Sequence, residues 1–263
     1  MFAIALLLPL VTAWNLFAPP NRSFKIGPKL AGVTYELPLT VSWTAIRDGS
    51  LQKAIAERIT EAFAFRPMLI RVNNEIRYEL FGELEAPGLV RGAKGHLFGQ
   101  YYIDDYCSRT AGMGERLAAD ILPELRDIRD YYRARGGIFI YMVSPSKAAH
   151  LPEYFTDRVR CPSTPADRAQ LLPTYAGALR AGGIDVLDAA SLIHAAKGKY
   201  PFDLFPEGGE HWNEVGGALA VTSLVDEINK QAGREIVPPF TFSYELSSPA
   251  KGADRELADL LNV

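Results

Sequence analysis

Cysteine is nearly absent from this 263-residue chain, which carries only Cys107 and Cys161. Two cysteines so far apart lack the spacing of a metal site, and they leave two readings open. In an exported protein they pair as one disulfide; otherwise they are two buried thiols. Excess positive charge is also missing. The formal net charge is -3, and the basic residues are scattered instead of clustered, which excludes a nucleic-acid partner. There are no internal repeats and no low-complexity tracts. Neither the basic leading region nor the small-residue cleavage site of a secretory signal is clear at the amino terminus.

What stands there instead is "MFAIALLLPLVTAWNLFA", an uncharged apolar run over residues 1–18. Its length is near the lower limit for a membrane-spanning helix, and Trp14 suits an interfacial position. The expectation is an uncleaved transmembrane anchor, with the rest of the chain exported. Residues 19–42, beginning in a Pro- and Gly-rich stretch, read as a linker. Residues 43–263 read as the folded domain.

Within that domain, Ser50 is placed to cap a helix bearing Leu51, Ile55, Ile59 and Phe63. A second helical pattern runs through Leu69, Asn73, Ile76 and Phe81, with Pro67 as break or start. Two short apolar runs around "RGAKG" predict a hairpin. Leu117, Ile121, Leu125 and Ile128 mark a long helix. "GIFIYMV" and "IDVLD" predict buried parallel strands alternating with the helices "PADRAQLLPTYAGALRAGG" and "AASLIHAAKG". This alternation predicts an α/β fold, and in such a fold reactive groups gather at the carboxyl edge of the sheet. Three segments reach that edge: "SPSK" after Val143, "DAAS" after Leu187 and "GGEHW" after Phe205.

His211 is the candidate general base, because a helix pattern through Leu219, Val221, Leu224 and Ile228 begins just after it. A helix amino terminus disfavours imidazolium and keeps the ring able to accept a proton. Ser144 and Ser146 follow a strong strand pattern, with Lys147 beside them. They read as a helix-capping turn, as a substrate-binding wall or as a nucleophile. Tyr101, Tyr102 and Tyr106 offer stacking surfaces for sugar rings or ordinary packing.

The segments "GHLFGQYYIDDY", "VSPSKAAHLPEYF", "FPEGGEHWNEVGGALA" and "ADRELADLLNV", in that order, resemble the AlgX/AlgJ group of SGNH-hydrolase-like proteins. The stretch from Trp43 to Gly82 is similar to the start of that family. The resemblance implies an SGNH-hydrolase-like parallel sheet flanked by helices, and transfer of acetyl groups to an exported polysaccharide. It implies a membrane-bound partner that supplies the acetyl group, location at the inner membrane facing the periplasm or cell exterior, and no cofactor. It also implies a Ser-His-Asp triad, with the aspartate two residues before the histidine. His211 followed by Trp212 matches the histidine-tryptophan pair, but the aspartate position holds Gly209, leaving Glu210 and Glu207 as substitute carboxylates. The serine expected later in the chain has only Ser223, Ser243, Ser247 and Ser248 as candidates, so the domain is expected to be incomplete at its carboxyl end. Ser144, Ser146, Lys147, Trp212 and Tyr101 become substrate-side candidates. A catalytically inactive carbohydrate-binding protein and an acetyl esterase remain alternatives.

Overall fold

The computed structural model describes residues 2–19, 22–33 and 39–263. Part of the expected linker and the first residue of the expected anchor therefore lie outside the described residues. The chain forms two compact units, Met1–Pro87 with Asp259–Val263, and Gly88–Ala258.

In the first unit the apolar run forms helix α1 (Phe2–Phe17), which contains Pro9 and no charged residue. Sixteen residues at about 1.5 Å each span roughly 24 Å, short of the ~30 Å hydrocarbon layer. Among the described residues no helix is long and apolar enough to cross a membrane. The transmembrane helix expected from the sequence is thereby corrected. The reason is visible at Asn15, whose amide donates to the carbonyls of Phe24 and Ala62 and accepts from the Phe24 N–H. The end of the run is thus pinned to protein. Helix α2 (Trp43–Arg47) is capped by the Ser42 hydroxyl. Helix α3 (Ser50–Ala62) starts at Ser50 itself, with left-handed Gly49 before it. Pro67 lies in the first turn of α4 (Arg66–Ile76), where its missing N–H costs nothing. The five-residue step from Ile76 to Phe81 is absorbed by a π-turn over Arg77–Phe81.

The second unit begins with the expected hairpin. Strands β1 (Leu89–Arg91) and β2 (Leu97–Gly99) pair antiparallel, with Val90 opposite Phe98. Helix α5 (Gln100–Ser108) leads directly from β2, and its Cys107 is disulfide-bonded to Cys161. The long helix α6 (Met113–Arg133) packs on α8 (Pro165–Ala181) around Ala118, Leu125, Leu179 and Ile184. Their close approach depends on Gly114, where a Cβ would lie 2.0 Å from the Thr174 hydroxyl. A capping box between Thr164 and Asp167 starts α8.

Strands β3 (Tyr141–Val143) and β4 (Val186–Asp188) pair in parallel, with α8 in the crossover between them. The chain is therefore mixed α/β, with short sheets and mostly helical segments. The Asp188 side chain caps α9 (Ala189–Ala195), and Asn213 caps α10 (Glu214–Ala232). The larger core centres on Phe98, Leu151, Ile193 and Phe205.

Candidate functional site

The segment before α10 is held on three sides. Lys147, the first residue of the short helix α7 (Lys147–His150), has no solvent exposure. Its ammonium donates to the carbonyls of Leu97 at 2.7 Å, Pro206 at 2.7 Å, Glu207 at 3.1 Å and Gly209 at 2.6 Å. The "SPSK" turn and the loop before His211 thus meet through one amine, which is fully occupied inside the protein. Burial lowers the Lys147 pKa to about 8, against the opposing charges of Glu210, Glu207, Glu256 and Asp203. On the second side, the Leu97 N–H donates to the Glu207 carbonyl at 2.8 Å, joining the loop to β2. On the third, the N–H groups of Leu257 and Ala258 both donate to the Gly208 carbonyl.

His211 projects from this braced loop with 62% of its side chain exposed. Its Nδ1 lies 2.6 Å from Oε1 of Glu256, the first residue of helix α11 (Glu256–Leu261). The same oxygen accepts the backbone N–H of Glu210 at 2.9 Å and of His211 at 3.0 Å. Partial burial pushes the Glu256 carboxyl upward, but the bonds from His211 and Glu210 outweigh it and hold its pKa below the ordinary value. With the carboxylate on Nδ1, the neutral ring keeps its proton there and leaves Nε2 as the acceptor.

The two carboxylates suggested by the sequence point elsewhere. Glu210 is buried, and its Oε2 takes the Gly99 N–H at 2.6 Å while its Oε1 has no partner among the described residues. Desolvation raises its pKa. The Glu207 carboxylate faces the hairpin turn near Gly95. Position 209 cannot carry a side chain at all in this arrangement. A Cβ there would sit 2.3 Å from the Ala253 carbonyl oxygen and 2.9 Å from Pro206 Cγ.

Ser144 and Ser146 line a cavity of about 470 Å³ at the end of β3, together with Arg109, Asp120, Glu124 and Tyr175. Ser146 occupies the cap position of α7 without making a capping bond, and its buried hydroxyl has no hydrogen-bond partner among the described residues. Trp212 packs against the larger core, while Tyr101 is largely exposed and meets Tyr102 edge-on. Among the described residues, no serine hydrogen-bonds to His211, and no group of three or more His, Cys, Asp or Glu is placed to hold a metal ion.

No protein-family model matches the chain. It is 25% identical over 185 residues to the probable alginate O-acetylase AlgJ of Pseudomonas putida strain KT2440, across 70% of its own length and 45% of that protein's. By sequence, this chain resembles AlgJ. It spans less than half the length of that AlgJ relative. Among solved structures it is similar to the O-acetyltransferase domain of Pseudomonas putida AlgJ. That likeness has a TM-score of 0.43 and 22% identity, covering 56% of this chain and 49% of the other. Glu256 is the residue beside His211 that sequence reasoning missed. It lies within the segment "ADRELADLLNV", but nothing in that stripe of leucines says that its acid returns to a histidine 45 residues earlier.

Proposed function

We propose that this protein acts in O-acetylation of an exported polysaccharide, on an SGNH-like scaffold whose parallel strands include β3 and β4. The observation that supports this reading is the exposed imidazole of His211 with its Nδ1 on a carboxylate, in a chain with an AlgJ relative. In the proposed step His211 Nε2 accepts the proton of a hydroxyl as its oxygen bonds to the acetyl carbonyl carbon. The bond from that carbon to the donor then breaks, and the imidazolium returns the proton to the leaving group. The attacking hydroxyl belongs to a serine in an acyl-enzyme route, or to the sugar in direct transfer. Ser144, Ser146, Trp212 and Tyr101 are the proposed substrate-side residues. The disulfide between Cys107 and Cys161 fits an oxidising compartment, supporting a place in the cell envelope beside a membrane protein that hands over the acetyl group.

The test uses the full chain, an activated acetyl ester and a polyuronate acceptor, with transferred acetyl read by NMR. His211→Ala is expected to lower the transfer rate by about 10²- to 10⁴-fold. An unchanged rate in this variant would sink the proposal. Acetate release without acceptor would instead select an esterase. The lack, among the described residues, of a serine hydrogen-bonded to His211 favours a second reading, polysaccharide binding without turnover. Tight polyuronate binding with background acetyl transfer would select it.

A further inference from the structure

We propose that Glu256 is the positioning residue for His211, in the role that the resemblance gives to an aspartate at position 209, and that the fold bars position 209 from that role. The inference rests on the reading of His211 as a general base. Two facts about one segment carry it. The Ala253 carbonyl fills the space that any side chain at 209 needs, 2.3 Å from where its Cβ would be. Three residues later the same segment brings Glu256 to His211 Nδ1 at 2.6 Å. Loss of one carboxylate and arrival of the other are therefore a single structural event.

The attachment is tighter than a surface ion pair. Glu256 Oε1 collects the ring nitrogen and two consecutive backbone N–H groups, so ring and loop are referred to the same atom. The Leu257 and Ala258 N–H groups on the Gly208 carbonyl then fix the start of α11 against the loop at 2.9 and 3.0 Å. Charge-assisted hydrogen bonds of this kind are short and directional, which suits the orienting of an imidazole. Glu210 and Glu207, though closer in sequence, direct their carboxylates to Gly99 and the Gly95 turn.

The experiment compares wild type with Glu256→Ala, Glu256→Gln, His211→Ala and the double variant Gly209→Asp/Glu256→Ala. One readout is the rate of acetyl transfer, and the other is the ¹⁵N shift of the His211 ring in its neutral form. Glu256→Ala is expected to reduce kcat by 100-fold or more, as for loss of a triad carboxylate, with little change in KM. The ring is expected to move from the Nδ1-protonated tautomer towards the Nε2-protonated one. Glu256→Gln keeps the shape of the side chain and guards against a folding artefact; it is expected to lose rate while remaining folded by circular dichroism. The double variant is expected to recover nothing. An unchanged kcat and tautomer in Glu256→Ala, while His211→Ala is inactive, would overturn this inference and leave the general-base reading intact. If His211→Ala retains full activity, that reading fails, and the tautomer alone decides whether Glu256 positions the ring. Recovery of activity in the double variant would overturn the steric exclusion at 209.

Discussion

Replacing Lys147 by methionine is expected to lower the thermal denaturation midpoint by about 10 °C. Methionine retains the apolar stem but takes away the donor of the Leu97 and Gly209 carbonyls, while the Glu207 and Pro206 carbonyls keep the N–H groups of Leu97 and Gly209. Each buried group left unsatisfied costs about 1–3 kcal/mol, and breaking a buried charged network costs about 3–5 kcal/mol overall. For a unit of this size, 1 kcal/mol corresponds to roughly 2–4 °C. The buried Glu210 carboxyl also loses the positive charge that opposes its desolvation. The same substitution at exposed Lys199 is the control. A Lys147→Met midpoint within about 2 °C of wild type would refute the assignment of the amine as the brace of this loop.

Acidification from pH 7.5 to about 5 is expected to remove up to about 2 kcal/mol for each of two buried histidines. His96 is stacked on Tyr154 at 4.4 Å, with Nε2 3.4 Å from Asp203 Oδ2. His150 lies against Phe205 and His194. Among the described residues, neither Nδ1 has a hydrogen-bond partner. Burial is the main cause that lowers both pKa values to about 4, with Lys147 adding to it at His96 and Lys197 at His150. The unfolded chain takes up these protons near pH 6.5, well before the folded one does. The folded state is therefore favoured above pH 6.5 and loses that advantage as pH falls towards 4. Urea midpoints for wild type and His150→Gln across this range provide the check. A wild-type midpoint that stays flat down to pH 5 would contradict the assignment.

Local chemistry made the helices and the hairpin legible in the sequence. Pro67 and the "RGAKG" turn each act within a few residues, so reading along the chain finds them. The strand predicted over "GIFIYMV" was harder, because a strand extends only as far as its partner. Only Tyr141–Val143 pair, against the three residues of β4. The apolar run at the start looked long enough to span a membrane, since hydropathy cannot see that Asn15 bonds to Ala62. At the site, His211 and the departure at Gly209 were visible, but the reason for the glycine was not. It lies in the Ala253 carbonyl, a backbone atom 44 residues further along the chain. Lys147 is a substrate-side candidate in the sequence, because lysines are almost never fully buried. Four carbonyls drawn from two distant segments make this one an exception.

The burial of Lys147 has a consequence for amine chemistry. An amine with a pKa of about 8 is about one-tenth uncharged near neutral pH, against fewer than about one in a thousand for an ordinary lysine. Burial is the cause of that shift, so a Lys147 opened to water returns to the ordinary lysine range. Zero exposure and four acceptors at 2.6–3.1 Å keep the Lys147 nitrogen away from electrophiles. Labelling with an amine-reactive ester therefore reaches Lys147 only when the loop over residues 206–209 opens. Its rate of modification, read by mass spectrometry, becomes a clock for that opening.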